Sequence, residues 1–202
     1  MKKVLLVTLC LALLCSAFVF TASAATTHTV VSGDTMWKIA VKYQVGLSEI
    51  KSANPQIANP NLIYPGQVLN IPETNASVLS YEKEVVRLVN VERAKNGLRE
   101  LTYDWELSRV ARYKSQDMKD KNYFSHTSPT YGSPFQMMKS FGITYRTAGE
   151  NIAKGQATPE AVVKAWMNSS GHRANILNSS FTHIGVGYVS GGNYWTQMFI
   201  GK

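Results

Sequence analysis

A chain of 202 residues, 45% of them hydrophobic, can bury one large core or two small ones. Its formal net charge of +8 points toward anionic surfaces as partners. The Lys and Arg residues are scattered rather than gathered into a basic stripe, which argues against nucleic acid.

Met1-Lys2-Lys3 is a basic start, Val4 to Phe20 is almost wholly apolar, and Ala22-Ser23-Ala24 fits the small-x-small cleavage rule. Residues 1–24 therefore read as a signal peptide cut before Ala25. The apolar run is slightly short for a spanning helix and no second one follows, so no transmembrane segment is expected after cleavage. Both cysteines, Cys10 and Cys15, fall inside this leader, so the exported part is expected to have no disulfide and no thiol chemistry. Leu14 is bulky where a lipoprotein signal carries a small residue, which argues against a lipid on Cys15.

His28 to Val31 reads as a short strand, and Ser32-Gly33-Asp34-Thr35 as a turn that caps a helix over Met36–Tyr43. Met36, Ile39, Ala40 and Tyr43 recur at helical spacing and are assigned to its buried face, and Trp37 is assigned to the core as well. Leu47 to Ala53 is a second helix with Ser48 as its cap, broken at Asn54-Pro55. Val68 to Ile71 is a returning strand that Pro72 ends. A β-α-α-β unit of this size buries little surface.

Thr29-Val30-x-x-Gly33-Asp34-Thr35-Met36-Trp37-x-Ile39-Ala40, then Asn54-Pro55, then Leu62-Ile63-Tyr64-Pro65-Gly66-Gln67-x-Leu69-x-Ile71-Pro72 closely resembles a lysin motif (LysM) over residues 28–72. The resemblance implies binding to N-acetylglucosamine-containing glycan, chiefly peptidoglycan. It places the groove between Gly33, Asp34, Thr35 and Met36 on one side and Leu62, Ile63 and Tyr64 on the other. Core packing is the alternative role for Met36 and Ile63. The motif occurs once, so avidity from repeats is not expected. Residues 73–79 are polar and read as a short linker that keeps two domains close.

From residue 80 the pattern changes. Ser80 is read as the cap of a helix over Tyr81–Asn96 that Gly97 ends, with Glu82 and Glu84 in its first turn beside the positive helix pole. Asp104 caps a helix over Trp105–Lys121, with Leu107, Val110, Ala111 and Met118 inward. Ser133-Pro134 and Thr158-Pro159 each pair a cap with proline at the first helical position, starting helices that stop at Gly142 and near Asn168. Ile184–Val189 and Tyr194–Ile200 are strands joined by a hairpin over Ser190–Asn193, and Ile143 to Thr147 is a candidate third strand. Helices preceding strands indicate an α+β class with helices packed on an antiparallel sheet.

Asn90-Val91-Glu92-Arg93-Ala94, Phe124-Ser125-His126, Gly149-Glu150-Asn151-Ile152, Trp166, Ser170-Gly171-His172-Arg173, Ile184-Gly185-Val186-Gly187 and Trp195-Thr196-Gln197-Met198-Phe199 resemble, in order, a bacterial member of the CAP superfamily. That group comprises cysteine-rich secretory proteins, antigen 5 and pathogenesis-related-1 proteins. The resemblance covers residues 80–202 and implies an α-β-α sandwich with a central cleft. Two histidines and two acidic residues line that cleft in the family. Three positions transfer: His126, Glu150 and His172. The second acid, which follows the tryptophan, is missing here, since Met167, Asn168, Ser169 and Ser170 follow Trp166. His183 falls outside the tetrad positions.

Two imidazoles and a carboxylate can hold a divalent metal such as zinc, shuttle a proton near neutral pH, or form a buried hydrogen-bonded network. No nucleophile elbow, zinc-protease helix motif or catalytic cysteine accompanies them. Three functions stay open. The first is a secreted, wall-associated protein whose LysM tethers a CAP domain that binds a lipid, protein or metal. The second is a hydrolase of wall or protein substrate using His126, Glu150 and His172. The third is a structural protein of the envelope or spore coat.

Overall fold

The computed structural model describes residues 26–202; the leader expected at 1–24, with Cys10 and Cys15, lies outside the described residues. The first unit runs β1 (Thr27–Thr29), α1 (Met36–Tyr43), α2 (Leu47–Ala53) and β2 (Val68–Asn70), with β1 and β2 antiparallel and His28 opposite Leu69. Thr35 caps α1, its hydroxyl accepting from the Lys38 N–H at 3.1 Å. Met36, Ile39, Ala40, Ile50 and Leu69 form a small buried core. Asn54, where α2 stops, is buried and fully used: its amide donates to Ile50 O and Asn70 O, and its Oδ1 accepts from Asn70 N. The cap of α2 is Gly46 rather than Ser48, and it makes no side-chain cap bond. Ser48 lies inside the first turn, where its hydroxyl donates to Glu49 Oε2 at 2.7 Å.

The second unit contains α3 (Ala76–Lys95), β3 (Thr102–Tyr103), α4 (Trp105–Asp120), α5 (Pro134–Ser140), β4 (Thr147–Lys154), α6 (Pro159–Met167), α7 (Ser170–Ile176), β5 (His183–Val189) and β6 (Tyr194–Gly201). The sheet order is β3-β5-β6-β4, so β4 is an edge. The β4–β6 and β5–β6 pairs are antiparallel, and the short β3 adds a parallel pair to β5. The fold is α+β, with helices on both faces of this sheet. Val85, Val89, Val162, Trp166, Ile184, Val186, Trp195 and Phe199 pack α3 and α6 on one face. Leu107, Val110, Ala111, Met137, Met138, Met198 and Ile200 pack α4 and α5 on the other. Strand β6 is buried along its whole length because its alternate side chains feed both cores.

Three sequence expectations change. Helix α3 begins at Ala76, capped by Asn75 Oδ1 on the Ser77 N–H, so the first part of the expected linker and helix boundary moves toward the N-terminus. Glu82 is then in the helix interior, fully buried, paired with Arg112 at 2.8 Å and accepting from Tyr188 N at 3.1 Å. The helix-pole role expected for it is replaced by a desolvated ion pair, in which each charge needs the other. The strand expected over 143–147 begins only at Thr147 and carries the Gly149–Ile152 stretch; Ile143 instead bonds back to Met138 O and closes α5.

The two glycines of Ile184-Gly185-Val186-Gly187 have a steric cause. A Cβ on Gly185 would run into the backbone of Leu107 and Ser108, and one on Gly187 into that of Ala111 and Arg112. Helix α4 therefore lies against β5 with no room for side chains, and Ser108 Oγ accepts from Val186 N at 3.0 Å across that contact. We expect Gly187→Ala to destabilise the protein by at least about 2 kcal/mol, the scale of an overpacked core. A thermal melt checks this, with Gly171→Ala as a control, since a Cβ there meets open space.

Candidate functional site

Two side chains one turn apart on α4 fold the loop that follows it. Asp117 accepts from the hydroxyls of Tyr123, Ser128 and Thr130 at 2.6, 2.7 and 2.5 Å. Burial raises the Asp117 pKa, but these three bonds outweigh it and hold the carboxyl below its ordinary range. Lys114 is fully buried and donates to Ser125 O at 2.7 Å, His126 O at 2.8 Å and the Tyr123 hydroxyl at 3.2 Å. Burial pushes its ammonium pKa down, opposed by the charges of Glu150 and Asp117.

The loop so held sets His126 over β4. Glu150 shares the sheet face of its partner Met198, which packs in the core with α4. His126 Nδ1 stands 2.8 Å from Glu150 Oε1, the imidazole 54% exposed and the carboxylate 1%. Burial raises the Glu150 pKa, with the His126 hydrogen bond and the Lys114 charge opposing it. Glu150 Oε2 is buried with no hydrogen-bond partner. The pair thus runs from a desolvated acid to a solvent-facing base, and the engaged Nδ1 leaves Nε2 for a ligand.

His172 approaches from the other face. Asn151 donates to His172 O at 3.1 Å, and Asn175 donates to Glu150 O at 3.2 Å and to Asn151 Oδ1 at 2.8 Å. Gln197 Oε1 on β6 accepts from Asn151 as well. These amides pin α7 to β4. The His172 ring makes no hydrogen bond to Glu150. Its pKa is lowered first by burial and then by His126, so the two imidazoles share a field. Of the three expected site residues, His126 and Glu150 touch, while His172 is tied to β4 through its backbone carbonyl and its ring bonds neither of them.

Among the described residues no three His, Cys, Asp or Glu side chains form a group that could hold a metal. His183 does not join the site: it lies at the start of β5, separated from β4 by β6, and bonds the Thr182 hydroxyl at 2.7 Å. Ser125 Oγ accepts from Thr127 N, which gives it no alignment with His126 as a nucleophile. Sequence reading missed Lys114, Asp117 and the amides of Asn175 and Gln197. A lysine and an aspartate three apart on the inward side of α4 were the available signal.

A second site lies in the first unit. A groove of about 500 Å³ is lined by Asp34, Thr35, Met36, Leu62 and Ile63, with Trp37, Leu47, Lys51, Pro60 and Asn61. Gly33 and Tyr64, also expected there, are outside its lining, although Tyr64 is exposed on the same surface. Met36 lines the groove, but its side chain is in the core at 3% exposure, the alternative role given above. Trp37, assigned to the core, is 53% exposed. One residue step turns the helix by about 100° and carries Trp37 off the Met36–Ile39–Ala40 face. Asp34 accepts from a His28 ring nitrogen at 2.8 Å and from Val31 N at 2.9 Å, and these bonds lower its pKa. Its carboxylate therefore fixes the turn.

A family model for the cysteine-rich secretory protein family (CAP) matches residues 86–200, and one for the LysM domain matches residues 28–72. The protein YkwD of Bacillus subtilis is 73% identical over 127 residues, 63% of this chain and 49% of that protein. The N-acetylmuramoyl-L-alanine amidase sle1 of Staphylococcus epidermidis is 40% identical over 68 residues, 34% of this chain and 20% of that enzyme. The chain thus spans half or less of the length of these curated relatives. Among solved structures, an extracellular protein with an SCP domain from Bacillus anthracis superposes with a TM-score of 0.61 at 35% identity. That match covers 68% of this chain and 47% of the other.

The His172 imidazole is expected to titrate below its ordinary value of 6.5. A proton disfavoured in the folded state means that folding stability falls as pH drops through 6.5. Histidine-selective NMR titration checks the value. In His126→Gln it should move part of the way back toward 6.5, because the burial contribution stays.

Proposed function

Because this chain belongs to the cysteine-rich secretory protein family and carries a LysM domain ahead of that fold, we propose that it is an exported, wall-associated protein. In this reading the LysM groove holds an N-acetylglucosamine-containing glycan such as peptidoglycan, and the CAP domain presents the His126–Glu150 pair to a ligand. One observation carries the tether: Trp37 and Leu62, both more than half exposed, line the same groove. An indole ring and an aliphatic side chain offer apolar contact to a sugar face, while the backbone of the Gly33–Met36 turn can bond acetamido groups. The relative from Staphylococcus epidermidis is named as an N-acetylmuramoyl-L-alanine amidase, and the solved relative from Bacillus anthracis is described as extracellular; both support this location.

At the CAP site, Glu150 holds His126 Nδ1 and the free Nε2 faces outward. With Glu150 ionised, Nδ1 carries the proton and Nε2 is an acceptor. That acceptor suits a ligand that donates a hydrogen bond, and Phe124, half exposed two residues before His126, offers an apolar contact for a lipid or protein ligand. The same pair favours a second reading, in which His126 acts as general base for a water in a hydrolase.

Sedimentation with purified peptidoglycan tests the tether. Trp37→Ala should weaken retention about tenfold, the equivalent of roughly 1.4 kcal/mol. Retention of the variant and of a chain lacking residues 26–72 at the wild-type level would overturn the reading. Release of muropeptides or peptide by the wild type, lost in His126→Gln, would select the hydrolase.

A further inference from the structure

The two domains meet along a seam that neither site uses. Arg109 of α4 reaches the first turn of α2: Nε lies 2.5 Å from Glu49 Oε1, and a terminal guanidinium nitrogen lies 2.9 Å from Glu49 Oε2 and 2.8 Å from Ser48 Oγ. Tyr113, four residues on and therefore on the same face of α4, donates its hydroxyl to Glu49 Oε1 at 3.0 Å. Beneath the guanidinium lie the Tyr113 and Phe141 rings, with centroids 5.5 and 5.2 Å from Arg109 Cζ.

We propose that Arg109 is a key that docks the LysM domain onto the CAP domain, with the Gly46–Glu49 turn as its socket, so that the two move as one body.

Five features support a lock rather than an incidental surface pair. Exposed ion pairs contribute little, but this one is bidentate and shielded, with Arg109 18% and Glu49 26% exposed. A planar guanidinium can stack on two rings while bonding a carboxylate, which an ammonium cannot do equally. Gly46 makes room: a Cβ there would overlap the Arg109 guanidinium, although its φ of −74° and ψ of 149° suit any residue. The connection is short, because Ile71 is tied to Thr26 O and Asn75 already caps α3, leaving Pro72, Glu73 and Thr74 between. A crevice of about 130 Å³, lined by Gly46 and Glu49 from one domain and by Arg109 and Arg112 from the other, runs beside the key, so the seam is not sealed by apolar packing and the polar contact carries the docking.

A rigid connection has a consequence. A glycan strand in the groove would then fix the direction in which His126 faces, and the short connection would determine where on the wall the second site works.

¹⁵N relaxation on protein carrying both domains reads the lock directly. The wild type should give one rotational correlation time for both domains. Arg109→Ala and, separately, Gly46→Ala should each abolish that common value, the LysM amides tumbling faster than the CAP amides while each domain keeps its own chemical-shift pattern. Gly46→Ala fills the socket without changing any residue of the CAP domain, so a folding defect in α4 cannot mimic the result. The charge exchange Glu49→Arg with Arg109→Glu should recover part of the coupling lost in either single variant. Two correlation times in the wild type, or one in both Arg109→Ala and Gly46→Ala, would overturn the proposal.

Discussion

The ammonium of Lys114 makes three hydrogen bonds while wholly shielded from solvent, and the His126 side of the site depends on it. A buried cation persists only when its protons are spent on acceptors and its charge is met by anions. Here the acceptors are the backbone carbonyls of Ser125 and His126, and the charges of Glu150 and Asp117 act on the ammonium. The lysine therefore fixes the backbone that carries His126 and also stabilises the carboxylate that His126 meets. Asp117 closes the same loop from the next turn of α4. Ligand-facing geometry is set from the helix below, through main-chain atoms.

That helix can do so because of how closely it approaches the sheet. With no side chain at Gly185 or Gly187, α4 lies directly on β5, and Ser115 bonds both Gly187 O and the Thr196 hydroxyl. The opposite face is organised by amides, Gln197 to Asn151 to Asn175, which bring α7 and His172 against the edge strand. Two different devices, a close-packed helix with a buried lysine and a ladder of amides, converge on β4 from its two sides. The edge position of β4 is what lets both reach Glu150 and its neighbours.

Much of this was legible in the sequence because it is locally coded. Proline after Ser133 and Thr158, Asp104 before Trp105, and the Ser190–Asn193 turn specify element ends through short-range chemistry, and all appear at those positions. The candidate pair His126 and Glu150 was legible only through a resemblance, since nothing in local spacing brings residues 126 and 150 together. The failures share a cause. Glu82 reads as a helix-pole acid, but its environment is set by Arg112 thirty residues away. Trp37 reads as core, yet the helix phase turns it outward. Lys114 is buried only by the loop that returns over it. Tertiary partners decide each case, and periodicity does not encode them.

The central claim is that a buried ammonium, acting through backbone carbonyls, presents His126 to Glu150. Long-range ¹H–¹⁵N spectra of the histidine rings in Lys114→Met measure it most directly, because Nδ1 bonded to a carboxylate differs in shift from a free ring nitrogen. The account predicts that the His126 Nδ1 signal moves to its unbonded position while the amide signals of β5 and β6 stay in place. A His126 Nδ1 shift identical to that of the wild type in the folded variant would contradict it.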